Sequence, residues 1–145
     1  MIAIVGLALA AAAATALAAP VTADETTVVQ LLHGMSDKPG ETFVVEPVVV
    51  AVDHAIADWT QGQAGGRALL RRRQQQWALI LCVGDGIKSA EALQTGGVPA
   101  AEAKVLETKL FAAEARLNPE RVTRFSRLEE LVMMDGKDAE SQHHH

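Results

Sequence analysis

Between Phe43 and Val83 the chain carries four β-rich runs separated by very short polar interruptions, and this spacing constrains the fold more than any other feature. Phe43 to Val52 is dominated by valine, and Pro47 within it requires a bulge or an edge position, because proline donates no ladder hydrogen bond. Asp53-His54 reads as a turn and Ala55 to Thr60 as the returning strand. Gly62-Gln63-Ala64-Gly65-Gly66 then connects to a third strand, Arg67 to Arg73. Gln74-Gln75-Gln76 turns the chain into Trp77 to Val83, a continuous apolar run expected to be buried on both faces. Parallel neighbours need a crossover of about a dozen residues. Connections this short leave only antiparallel pairing, so the four runs form a meander.

The flanking segments have helical periodicity. Val28, Leu31, Leu32 and Met35 recur at helical spacing, with Thr26 or Thr27 as cap and Ser36 to Gly40 as the stop. After Gly84-Asp85-Gly86 the period lengthens again. Ser89 caps a short helix that Gly96-Gly97 ends, and Pro99 stands at the start of a longer one. Its stripe is Ala103, Leu106, Leu110, Ala113 and Leu117. Asn118-Pro119 starts a last helix through Val122, Phe125, Leu128 and Val132, ending at Asp135-Gly136. The expected fold is α+β: one N-terminal helix, a four-stranded antiparallel meander sheet, then C-terminal helices, in a single domain over residues 24–136. Residues 137–145 read as a disordered, histidine-ended tail.

Residues 1–23 read as a signal peptide. No charge occurs from Ile2 to Ala19, and Ala16-Leu17-Ala18 offers the small-x-small pattern for cleavage after Ala18, with a second site after Ala23. The alanine-heavy run ends at Pro20 and is weaker than the roughly 20 strongly apolar residues of a spanning helix. The expectation is therefore export to the periplasm, with no membrane span after cleavage. The single cysteine, Cys82, excludes an intrachain disulfide, and its neighbours Leu79, Ile80, Leu81 and Val83 predict a buried, inert thiol. Thirteen basic against eighteen acidic residues, a net charge of −5, argue against nucleic acid as a partner.

None of the familiar catalytic signatures occurs, from the nucleophile elbow to the phosphate loop, the zinc-protease helix and the Cys-x-x-Cys pair. No enzyme is expected. Arg67, Arg71 and Arg73 share one face of their strand, with Arg72 on the other, and are expected on a solvated surface paired with acids. The candidate metal ligands are His33 with Met35, Met133 with Met134, and the terminal His143, His144 and His145. Thioether sulfur is soft enough for Cu(I), and imidazole suits copper in either oxidation state. Met35, Met133 and Met134 are equally placed to complete apolar helix faces.

Trp59-Thr60-Gln61-Gly62 and Gly65-Gly66-Arg67-Ala68-Leu69-Leu70-Arg71-Arg72 resemble the family of copper uptake system-associated proteins. The Trp77–Cys82 strand, Gly84-Asp85-Gly86-Ile87-Lys88, Gly97-Val98-Pro99 and Arg124-Phe125-Ser126-Arg127 add to the likeness, which runs from about Val28 to Met134. The resemblance implies a periplasmic accessory protein of copper uptake, binding or handing on copper ions beside a periplasmic copper chaperone or an outer-membrane receptor. The other reading is a non-catalytic module of nuclear-transport-factor-like or cystatin-like shape that binds a small molecule or a protein.

Overall fold

The computed structural model describes residues 22–36 and 40–128, and the backbone of 132–133. Helix α1 (Ala23–Met35) starts earlier than its apolar stripe suggests, because the Thr22 hydroxyl accepts from the Glu25 amide and Asp24 and Glu25 fill the first turn. Four strands follow: β1 (Phe43–Ala51), β2 (His54–Gln61), β3 (Ala64–Arg73) and β4 (Gln76–Val83). Then come α2 (Ala90–Thr95), α3 (Ala100–Glu114), α4 (Pro119–Phe125) and a two-residue strand, β5 (Val132–Met133). The sheet is antiparallel throughout, in the order β1-β2-β3-β4-β5.

The expected α+β meander is present, joined by two-residue connections at 52–53, 62–63 and 74–75. Gln74 and Gln75 both have positive φ, the primed-turn geometry that matches strand twist. His54 is the first residue of β2, so the first turn is Val52-Asp53, and Val52 takes φ 52°, a left-handed conformation that crowds a β-branched side chain. The register of β1 shifts between Val45 and Val48, so Pro47 sits at an irregularity of an edge strand, as a residue without N–H must.

Helices cover both faces of the sheet. Val28 and Leu32 of α1 pack on Val45, Ala55, Ala57, Ala68, Leu70 and Trp77. On the opposite face, Val49, Ile56, Leu69 and Leu81 meet Leu93 of α2 and Ala103, Leu106 and Leu110 of α3. The second core corresponds to the stripe read in the sequence, with Glu114 in place of an apolar residue at its end. Pro99 caps α3 from outside rather than opening it.

Two expectations are corrected here. The last helix stops at Phe125, and Val132–Met133 pair as β5 with Cys82 and Leu81. Leu128 and Val132 keep helical spacing with Phe125, but Gly84 lets the chain leave the helix and lie against the sheet. A Cβ on Gly84 would stand 2.7 Å from the Leu128 carbonyl oxygen. The second correction concerns β4, in which only Trp77 and Leu81 are buried. β5 borders β4 at just two positions, and the register skips Ile80 between Leu69↔Leu81 and Leu70↔Leu79, so the rest of the strand is half-exposed.

Candidate functional site

The sheet face beneath α3 and α4 contains a buried ionic centre. Arg67 is fully buried, which overturns the expectation of a solvated arginine row; Arg71 is half-buried and Arg73 exposed. Strand alternation assigned these residues to one face correctly, but α3 and α4 cover only the Arg67 end of it. The Arg67 guanidinium grips Glu114 of α3 with both arms, Nε to Oε1 at 2.8 Å and Nη2 to Oε2 at 3.0 Å. Its Nη1 donates to the Gly84 carbonyl at 3.0 Å and to Asp85 Oδ1 at 3.1 Å. Every polar edge of the group is thereby used, which is the condition for burying a charge. Phe125 of α4 lies against it, with the guanidinium carbon 5.6 Å from the ring centroid.

Asp58 of β2 completes the centre. Its side chain has no exposure, no donor reaches either carboxyl oxygen, and Arg67 Nε stands 3.8 Å from Oδ1. Burial, then the hydrogen bond and charge of Glu114, push its pKa up to about 9, against the weaker pull of Arg67 and Arg121. A carboxyl shifted in this direction favours its protonated form, which would donate to Glu114 rather than accept, in keeping with the absence of donors at its oxygens. Burial works against ionisation of Glu114, but the Arg67 fork and the Asp58 hydroxyl outweigh it and hold that carboxylate below its ordinary value. Asp85 is also lowered, chiefly by the Ser126 hydroxyl and then by Arg67.

Glycines of β3 open the space in which this centre is covered. Gly65 allows α4 to approach, since a Cβ there would stand 2.5 Å from the Arg124 carbonyl oxygen, and Gly66 accommodates the Trp59 ring on the other face. The expected five-residue connection at 62–66 is therefore two residues of turn followed by strand. Arg121 reaches Thr60 Oγ1 at 2.8 Å and the Glu46 carbonyl at 3.0 Å, while Arg127 bonds Gln63.

Above this centre, a groove of about 590 Å³ opens between α3 and α4. Its lining includes Lys88, Leu110, Phe111, Ala115 and Val122, with Glu107 and Glu114 along one wall. Both carboxylates already have internal partners, Glu114 in Arg67 and Glu107 in the Ala90 amide at 2.6 Å, where it caps α2. Phe111 stands at the rim with 78% of its surface exposed. The groove can take an apolar group, with the Lys88 ammonium beside it.

The metal candidates are not assembled among the described residues. His33 and Met35 are both exposed near the end of α1, two positions apart, which puts them on different sides of a helix. The His33 ring instead meets Phe43 edge-on at 5.3 Å. Met133 lies in β5 opposite Leu81, not at the end of a helix. Met134, His143, His144 and His145 lie outside the described residues. Among the described residues no three His, Cys, Asp or Glu side chains form a metal-holding group. Burial raises the Cys82 thiol to about 11, against a hydrogen bond with Trp59, in keeping with an inert thiol.

Sequence reasoning missed Asp58, Glu114 and Phe111. A lone acid inside the apolar strand Ala55–Thr60 was one available signal. An acid four residues after Leu110, on the stripe itself, was the other. It also passed over His54, whose Nδ1 pairs with Glu102 Oε2 at 2.8 Å and ties the β1–β2 turn to α3. In comparisons with known proteins, no family model, no curated protein and no solved structure matches the chain.

Proposed function

We propose that this is an exported, non-catalytic binding module acting as an accessory of copper uptake, and that its working surface is the groove between α3 and α4. The observation that carries the binding role is the groove itself: a concavity of about 590 Å³ with Phe111 exposed at its rim. Small-molecule sites are usually concave and mostly apolar, and contiguous exposed apolar patches mark interaction surfaces. The copper setting rests on the family resemblance, and export rests on residues 1–23. Cleavage after Ala18 keeps the Thr22 cap of α1, whereas cleavage after Ala23 removes it, so the first site agrees better with a stable mature fold.

The test uses the mature chain and a neutral apolar fluorophore, phenylnaphthylamine. Its emission should rise on binding, and Ala115→Trp, which fills the groove from an exposed position, should abolish the rise without lowering thermal stability. Equal binding by that variant would remove the groove from the reading.

A direct role in holding copper is the second reading, favoured by one sequence observation: His143, His144 and His145 are the only clustered imidazoles in the chain. Cu(I) and Cu(II) titrations with and without residues 143–145 decide it. Loss of Cu(II) binding on deletion supports a tail site. Undiminished binding moves the site into the folded domain, with His33 and Met35 examined first. Imidazole must be neutral to bind, so affinity should fall as pH drops through about 6.5.

A further inference from the structure

We propose that the outer face of α3, together with Lys88, docks an acidic segment of a partner protein that anchors one apolar side chain in the groove. The inference rests on the binding-module reading and adds to it the chemistry of the occupant. Its ground is the way α3 sorts its charges. All three acids of the helix turn to internal partners: Glu102 to His54 and the Asp53 amide, Glu107 to the Ala90 amide, Glu114 to Arg67. Lys104 and Lys109 remain exposed, and Arg116 follows just beyond the helix end, also exposed. Lys109 Nζ donates to the Val50 carbonyl at 2.7 Å, which fixes its position without neutralising it. A chain of net charge −5 thus presents a helix face whose outward charges are all positive.

The apolar component shares that face. Val105 and Phe111 are two of the large apolar side chains left exposed among the described residues. Lys104, Val105, Thr108 and Lys109 line a shallow depression of about 350 Å³, which joins the larger groove at Thr108. From Val105 to Ala115 the helix rises roughly 15 Å, at about 1.5 Å per residue. That length matches four or five residues of extended chain. An apolar side chain enters the groove beside Phe111, and flanking carboxylates meet Lys88, Lys104 and Arg116. A lipid surface fits less well. The groove is concave, and a flat bilayer surface cannot follow it.

The experiment titrates the isotope-labelled mature chain with a short blocked peptide of alternating glutamate and leucine bearing one central phenylalanine. The same peptide with lysine for glutamate, and vesicles of phosphatidylglycerol, run alongside. Amide shifts with the acidic peptide should concentrate between 104 and 116. The double variant K88E/K104E should weaken the interaction about tenfold at moderate salt, and K88R/K104R should restore it, since exposed charge pairs set specificity and are screened. Equal binding of the basic peptide, shifts on another face, or vesicle binding with a silent acidic peptide overturns the proposal. If neither peptide binds while phenylnaphthylamine still fills the groove, the partner is refuted and the binding module survives. Loss of the fluorophore signal as well removes both.

Discussion

Replacing Asp58 with asparagine tests the buried centre with little change of shape. Protonated, the Asp58 side chain can donate to Glu114, and an asparagine amide can do the same. The two chains differ in how they respond to pH. Asp58 has its pKa raised from 3.8 to about 9, so the folded state keeps a proton that the unfolded chain releases above pH 4. A group shifted in this direction stabilises fully below its unfolded value, and that contribution declines as pH rises toward the folded value. The slope is about 1.4 kcal/mol per pH unit for one proton. Between pH 5 and pH 8 the native protein should therefore lose up to about 4 kcal/mol that Asp58→Asn does not lose. Urea unfolding of both chains at several values in this range gives the difference directly. The variant should gain on the native chain steadily from pH 5 to pH 8. Parallel pH profiles, or a variant destabilised alike at every pH, would refute a proton held between Asp58 and Glu114.

Arg67→Met should cost about 3–5 kcal/mol, because it leaves Glu114 buried without its counterion; adding Glu114→Leu should recover most of that loss in the same denaturation assay. Val52→Gly should raise stability by about 1 kcal/mol by relieving the left-handed conformation of a β-branched residue, net of the extra freedom glycine has when unfolded; a lower midpoint would contradict the strain. Cys82 should react slowly with a disulfide reagent at pH 7.5 and rapidly once urea unfolds the chain, since its thiol is raised to about 11. Fast labelling of the native protein would place the thiol elsewhere than beside Trp59.

The meander was legible because its information is local. Gln74-Gln75-Gln76 and the run from Gly62 to Gly66 are interruptions too short for a crossover, even though the turns themselves proved shorter, and Pro47 announced its irregularity through the hydrogen bond it cannot make. The buried ionic centre was not legible, because strand alternation assigns Arg67 to a face without saying what covers that face. Helix α4 does the covering. The close approach depends on glycines at 65 and 84, which in sequence look like ordinary loop residues. The end of the chain misled for a related reason: Leu128 and Val132 keep helical spacing with Phe125, yet the helix ends at Phe125 and the Ser126 and Leu128 backbone lies against Gly84, where a side chain would collide. Glu114 fell on an apolar stripe and gave no sign of its partner 47 residues away in sequence.

The attachment of α4 bears on how the molecule comes apart. Of this seven-residue helix only Phe125 is buried, and many of the segment's other ties are polar: Arg121 to Thr60 and Glu46, Ser126 to Asp85, Arg127 to Gln63. Water can take over each of these bonds, whereas nothing in water replaces the apolar packing of Leu106 and Leu110 under α3. The C-terminal segment should therefore open at a lower free energy than the centre of the sheet, and its amides should exchange with solvent before those of β2 and β3. Val122 rides on it, so the groove loses one wall each time the segment lifts. An occupant bridging α3 and α4 should oppose that opening and slow exchange on both sides of itself, making this lightly packed edge the one that registers whether the groove is filled.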